Sequence, residues 1–161
     1  MDHQIIDNCL NQEDFDKIQK LLLSHHFPWH YGAGVSTILD ESDVFYFIHT
    51  FYEKFEIKSS FIHIINPIIK ILNPKAIIRI KANLYPNLGK FIKNGVHTDT
   101  DYKHKGAIFY VNDNNGYTIL EDSTKIESKK NRLLLFDSSK PHQSTHCTNS
   151  NIRVNININY F

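Results

Sequence analysis

The chain has 161 residues, 18 Lys plus Arg against 17 Asp plus Glu, and a formal net charge of +1. That length fits one domain spanning residues 1–161 with its own core, and the near-balanced charge gives no electrostatic footprint for a polyanion, so nucleic acid is not expected as a partner. With 41% hydrophobic and 12% aromatic residues, the composition suits a packed core and excludes a disordered chain.

The opening MDHQIIDNCLNQEDFD has neither a basic n-region nor an apolar h-region, and no later stretch approaches the roughly 18 apolar residues of a membrane span. Residues 11–25 follow, with apolar side chains at Phe15, Ile18, Leu21 and Leu22, Asn11 placed to cap, and Glu13 and Asp14 in the first turn; this spacing predicts an amphipathic helix. Aromatic and β-branched runs at 28–31, 35–39 and 44–52, separated by turn signals, predict short strands. Ser59 or Ser60 opens a second apolar helix that runs to Leu72, where Pro67 kinks it or starts a new turn and Asn73-Pro74 ends it.

From Ala76 onward the texture becomes short runs divided by Gly, Asn, Asp and Pro: AIIRIKANLY, FIKNGVHTD, GAIFYVN, YTILE, KIES, RLLLFD, HQSTHC and IRVNININY. Strands at this spacing predict an antiparallel sandwich or barrel, and NDNNG at 112–116 reads as a hairpin turn. The expected fold is mainly β with flanking helices, a double-stranded β-helix (jelly roll) with two helices packed on one sheet. Residues 1–75 supply supporting helices and strands, and 76–161 the jelly-roll core. The only two cysteines, Cys9 and Cys147, lie far apart. They rule out a disulfide framework or a Cys-rich zinc module and make a reducing cytoplasm the default location.

The chemistry-bearing pattern begins at His97-Thr98-Asp99. On an extended strand, residues i and i+2 share a face, so this His-x-Asp pair can ligate one metal. Alone it is weak evidence, and a surface turn rich in polar residues, HTDTDYKH, is the better reading of it. His142, after Asp137-Ser138-Ser139-Lys140-Pro141, adds a second imidazole, and two imidazoles with one carboxylate form the facial triad of non-haem Fe(II) oxygenases. Arg153, eleven residues further on, supplies a planar fork suited to holding the far carboxylate of a 2-oxo dicarboxylate.

These residues resemble the 2-oxoglutarate/Fe(II)-dependent oxygenases, and within them the prolyl-hydroxylase-like branch. NRLLLFDSSKPHQST is similar to that branch's distal-His segment, GAIFYVNDNNGY to its strand after the His-x-Asp, and ANLYP to the strand entering the barrel; the likeness covers residues 76–161. The resemblance implies Fe(II) bound by His97, Asp99 and His142, and 2-oxoglutarate anchored through its C5 carboxylate by Arg153 with help from Tyr110. It further implies that Tyr85 contacts the C1 end. Asn83 with Tyr85, and Arg153 with Asn155, also resemble paired residues of the nucleic-acid dealkylase branch, which adds Asn83 and Asn155 to the cosubstrate contacts.

The implied activity is hydroxylation of a C–H bond by O2 and 2-oxoglutarate, with a prolyl or other amino-acid-type substrate, small molecule or peptide. The rivals are a nucleic-acid dealkylase of the same superfamily, a cupin-like metal-binding jelly roll without catalysis, and a structural β-sandwich. Each residue has a plainer alternative. Tyr85 and Tyr110 can be core aromatics, and Asn155, Asn157 and Asn159 a solvated strand face. His104, His146 and Cys147 read as polar rim residues, Asp101 as a poorer carboxylate ligand than Asp99, and His25, His26, His30, His49 and His63 as packing or surface.

Overall fold

The computed structural model describes residues 3–33 and 44–161. Eight strands form the larger, antiparallel sheet: β1 (His3–Asp7), β2 (His30–Ala33), β3 (Phe45–Glu53), β4 (Glu56–Ile57), β5 (Ile77–Pro86), β6 (Lys105–Tyr110), β9 (Arg132–Asp137) and β11 (Ile152–Tyr160). They run in the order β1-β9-β6-β11-β5-β3-β2, with β4 hydrogen-bonded to β3. The smaller sheet is β10-β7-β8, made of β7 (Tyr117–Ile119), β8 (Lys125–Glu127) and β10 (Gln143–Ser144).

Two helices cover one face of the larger sheet, as the apolar periodicity predicts. Helix α1 (Gln12–Leu22) is capped by Asn11, whose Oδ1 accepts from the Asp14 amide at 2.9 Å. It stops three residues short of the expected His25, and the Trp29 indole N–H donates to the freed Leu22 carbonyl. The second helical region breaks where Pro67 sits. A 3₁₀ segment, Ser60–Ile65, gives way to α2 (Asn66–Leu72) with the proline in its first turn, and Asn73 ends it at a left-handed φ of 43°. Phe15, Ile18 and Leu22 of α1, Ile65, and Ile68 of α2 pack on Phe51, Ile80, Ala82, Phe109, Leu133, Val154, Ile156 and Ile158 of the sheet. Burying each such side chain contributes about 1.5–3 kcal/mol. None of the described helices is long and apolar enough to cross a membrane.

The opposite face of the larger sheet meets the smaller one. Ile108, Tyr110, Leu134 and Phe136 join Ile126 of β8 in a second apolar cluster. Successive side chains of β11 therefore divide, with Val154, Ile156 and Ile158 toward the helices and Arg153, Asn155, Asn157 and Asn159 toward the space between the sheets.

Several expectations are corrected. Strand β1 carries adjacent isoleucines and no clear period, and it owes its conformation to antiparallel pairing with β9, more than a hundred residues away. The segment NDNNG does not make a hairpin: it carries the chain from β6 in the larger sheet to β7 in the smaller. Its asparagines hold that crossover through their side chains: Asn112 donates to the Ile152 carbonyl and accepts from the Val154 amide, Asn114 accepts from the Gly116 amide, and Asn115 pairs with Thr148. FIKNGVHTD is not a regular strand: its backbone meets the His142 segment at isolated bridges, Lys93/Thr145 and His97/His142, and Asn94 donates to the Ser144 hydroxyl and accepts at its carbonyl from the Gln143 side chain. The strand expected at 142–147 shortens to Gln143–Ser144, and the one expected at 35–39 lies outside the described residues.

Candidate metal centre

His97 and His142 face each other across a two-residue bridge in which each backbone amide donates to the other's carbonyl, at 3.0 and 2.9 Å. That bridge brings together segments 45 residues apart and sets the ring centroids 4.5 Å from one another. The Nδ1 of His97 lies 3.2 Å from the Gly95 carbonyl and that of His142 3.0 Å from the Lys140 carbonyl. A carbonyl only accepts, so both rings carry a proton on Nδ1 and turn Nε2 inward as the ligating nitrogen. Those Nε2 atoms lie 4.0 and 3.8 Å from the two oxygens of Asp99, and all three ligand atoms fall within 4.8 Å of one another. The shared-face argument for His97 and Asp99 assumed a strand. The two converge instead through a bend, fixed where the Asp99 amide donates to the Ser138 carbonyl.

Asp99 is held from below. Arg79 Nη2 donates to Oδ1 at 2.9 Å, and the side-chain amides of Asn159 and Asn157 donate to Oδ2 at 2.8 and 3.3 Å. Burial pushes its carboxyl pKa up, but Arg79, the two amide donors and His142 whenever it is protonated outweigh that and leave it below the usual carboxylate value. Burial lowers the His142 pKa against the pull of Asp99, which keeps the imidazole neutral. A deprotonated Asp99 and a neutral His142 are the protonation states a divalent metal needs of these two ligands.

The triad opens into a cavity of about 460 Å³, counting its mouth, lined also by Tyr46, Lys81, Asn83, Tyr85, Thr118 and Asn155. Its floor is a polar ladder across the β5/β11 pair: Arg79 opposite Asn159, Lys81 opposite Asn157, Asn83 opposite Asn155 and Tyr85 opposite Arg153. Asn83 donates to Asn155 at 3.0 Å. At the inner end Arg153 is fully buried. Its Nε donates to Ser128 Oγ at 2.7 Å and its Nη2 to Thr118 Oγ1 at 3.2 Å, and the same Thr118 oxygen accepts from the Tyr110 hydroxyl at 2.8 Å. The guanidinium lies against the Tyr85 and Tyr110 rings, 5.1 and 5.8 Å from their centroids. Nη1 is buried without a partner, and no carboxylate of the described residues pairs with Arg153. A buried cation lacking an anion is costly, and a carboxylate-bearing ligand removes that cost. The residues present thus fit a divalent metal at one end and a carboxylate at the other.

A Cβ at Gly116 would stand 2.6 Å from Arg153 Cδ and 2.9 Å from Asn114 Oδ1, inside the space the guanidinium stem needs. Gly116→Ala is expected to cost about 1–3 kcal/mol by overpacking, read as a fall of several degrees in Tm, whereas the same change at exposed Gly89, where nothing lies near the new Cβ, meets only backbone strain.

The structure brings together every expected site residue, His97, Asp99, His142, Arg153, Tyr110, Tyr85, Asn83 and Asn155, on one cavity or its inner end. It also corrects the reading of others. Asn155, Asn157 and Asn159 do not form a solvated face; they are buried between the sheets. His104, His146 and Cys147 are buried as well, not at a rim. His104 bonds Ser138 and Thr100 and receives Asn159, linking it to Asp99 through that amide. Asp101 is exposed and outside the triad. The sequence reading missed Arg79, Lys81, Thr118 and Ser128. The first two alternate in phase with Asn83 and Tyr85 on β5, a signal that would have found them; Thr118 and Ser128 carry no local signal.

No protein-family model matches this chain, nor does any curated protein sequence. Solved structures do. A collagen prolyl hydroxylase of Paramecium bursaria Chlorella virus 1, determined with 2-oxoglutarate, superposes with a TM-score of 0.64 at 16% identity, covering 100% of this chain and 97% of its own. A Trichoplax adhaerens prolyl hydroxylase in complex with a hypoxia-inducible-factor peptide gives 0.73 at 18% identity, covering 99% and 83%. A Burkholderia pseudomallei oxidoreductase of the 2OG-Fe(II) oxygenase family gives 0.70 at 9% identity, covering 99% and 84%. The chain has the double-stranded β-helix fold of the 2-oxoglutarate/Fe(II) oxygenases. Among the structures it resembles, prolyl hydroxylases recur.

Proposed function

We propose that this protein is an Fe(II)- and 2-oxoglutarate-dependent dioxygenase that hydroxylates a C–H bond of an amino-acid-type substrate, prolyl residues included. The observation that carries the reading is a convergent His-Asp-His cluster on a cavity whose lining residue Thr118 bonds a buried arginine that has no carboxylate partner among the described residues. A metal-binding jelly roll without catalysis has no need of the second feature. When bound, the metal and 2-oxoglutarate would activate O2, which is the oxidant, with 2-oxoglutarate giving up two electrons as it becomes succinate; the chain's residues do the rest. His97 and His142 present Nε2 and Asp99 one oxygen to the metal, and Arg79, Asn157 and Asn159 hold Asp99 in place. Arg153 takes the far carboxylate of 2-oxoglutarate, and Tyr110 shares with it the Thr118 oxygen. Tyr85, Asn83 and Asn155 line the path between the two ends. No protein acid or base is assigned.

The two cysteines are unpaired, in keeping with cytoplasmic work, and residues 76–161 carry all the proposed ligands, with 1–75 as support. Of the lysines nearest the motif, Lys105 and Lys125 lie over the Tyr160 and Tyr117 rings and Lys129 pairs with Asp7. That arrangement gives the nucleic-acid rival no continuous basic stripe. Anaerobic addition of Fe(II) and then 2-oxoglutarate is expected to raise a weak visible charge-transfer band, and admitting O2 to release succinate. A colourless complex and no succinate would remove the oxygenase assignment and leave a passive metal site.

A further inference from the structure

Lys81 has no part in the chemistry above. It stands on β5 opposite Asn157 of β11 and Thr50 of β3, and it lines the same cavity as the triad. Its ammonium lies 5.7 Å from the centroid of the Tyr46 ring. Among the described residues it has no hydrogen-bond acceptor and no carboxylate within ion-pair distance, and it is not sealed off from the cavity. Lysine ammonium is strongly hydrated and resists desolvation without a counter-charge. Burial accordingly draws its pKa down to about 8, with Arg79 adding to the fall and Asp99 and Glu53 only partly opposing it. At neutral pH it is still mostly charged.

The neighbouring charges do not neutralise it. Arg79 is committed to Asp99, and Arg153 lies at the other end of the ladder, opposite Tyr85. At about 3.3 Å per residue, the four residues from Lys81 to Tyr85 place these two cationic positions roughly 13 Å apart along the strand. Among the described residues that line this cavity, Lys81 is the one lysine or arginine and Asp99 the one carboxylate, and Asp99 is already held by Arg79.

We infer that Lys81 is the counter-charge for a carboxylate of the prime substrate, which narrows the proposed amino-acid-type substrates to free carboxylic acids and sets aside prolyl and other residues within a peptide chain. This rests on the oxygenase reading. Lys81 acts as a specificity-determining residue, placed level with the Asp99 end of the ladder and away from the arginine that receives the cosubstrate.

The test uses the full chain loaded with Mn(II), which removes turnover, and measures dissociation constants by calorimetry. The first arm titrates 2-oxoglutarate into the parent and into Lys81→Met and Lys81→Arg; all three are expected to bind it within about twofold of one another. The second arm adds the proteinogenic L-amino acids and their carboxamides to the 2-oxoglutarate complex. At least one acid is expected to bind, its amide at least tenfold more weakly; Lys81→Met should lose that preference and Lys81→Arg keep it. No 2-oxoglutarate binding by the parent would overturn the oxygenase reading and this inference with it. With that binding intact, failure of every free acid, equal binding of acid and amide, an unchanged preference in Lys81→Met, or a selective loss of 2-oxoglutarate in that variant would overturn the role of Lys81 alone.

Discussion

Arg153→Ala should raise the 2-oxoglutarate requirement by well over tenfold while leaving metal affinity nearly unchanged. The guanidinium is the only cation at the inner end of the cavity among the described residues, and Ser128 and Thr118 fix it with Nη1 still free. Removing one partner of a buried charge pair costs about 2–5 kcal/mol, which converts to roughly thirtyfold or more in affinity. Metal binding is insulated because the triad is built on His97, Asp99 and His142, none of which touches Arg153. Arg153→Lys keeps the charge but cannot donate to Ser128, Thr118 and a carboxylate in one plane, so its loss should fall between parent and Ala. The measurement is a 2-oxoglutarate titration beside a metal titration of the same preparations; an unaltered cosubstrate requirement in Arg153→Ala would sink the anchor assignment.

Asp99→Ala should produce two separable losses. Without metal, the change leaves Arg79 and Asn157 without their acceptor, while Asn159 keeps His104 and Ser138. Breaking a fully buried pair costs about 3–5 kcal/mol; the Arg79 side chain keeps 23% of its exposure, so solvent recovers part of this and a loss of about 2–3 kcal/mol is expected. With metal, the parent gains about 2.7 kcal/mol at a hundredfold excess over Kd, a rise of several degrees in Tm, and the variant gains almost none because two imidazoles remain where three ligands stood. Thermal unfolding with and without Mn(II) reads both. A variant that keeps the full metal-dependent rise would exclude Asp99 as a ligand, whatever its effect on the metal-free protein.

Much of this protein is written locally. The 3.6-residue spacing of Phe15, Ile18 and Leu22 and the cap at Asn11 define α1, because a helix needs only its own hydrogen bonds and one apolar stripe. Pro67 ends one helical segment and opens another because it lacks an N–H. The alternation in IRVNININY assigns Val154, Ile156 and Ile158 to one face and Arg153 with the asparagines to the other, since a strand has a period of two. The identities of the triad and of the arginine are equally legible, because metal and carboxylate chemistry admit few residue types.

Only the tertiary structure decides what those faces meet. The asparagines of β11 look like a solvated face until the smaller sheet is laid over them and Asp99 takes two of their amides. Strand β1 has no pattern of its own and exists through β9, and NDNNG passes for a hairpin until the sheet order shows that its flanking strands never pair. His97 reaches His142 through a bridge of two backbone hydrogen bonds, and Arg79 reaches Asp99 from a strand twenty residues earlier. Periodicity reports the direction of a side chain relative to its own backbone. Register, crossover and the charge left over in a cavity depend on contacts between segments distant in sequence, and the sequence marks those only after the chain has closed on itself.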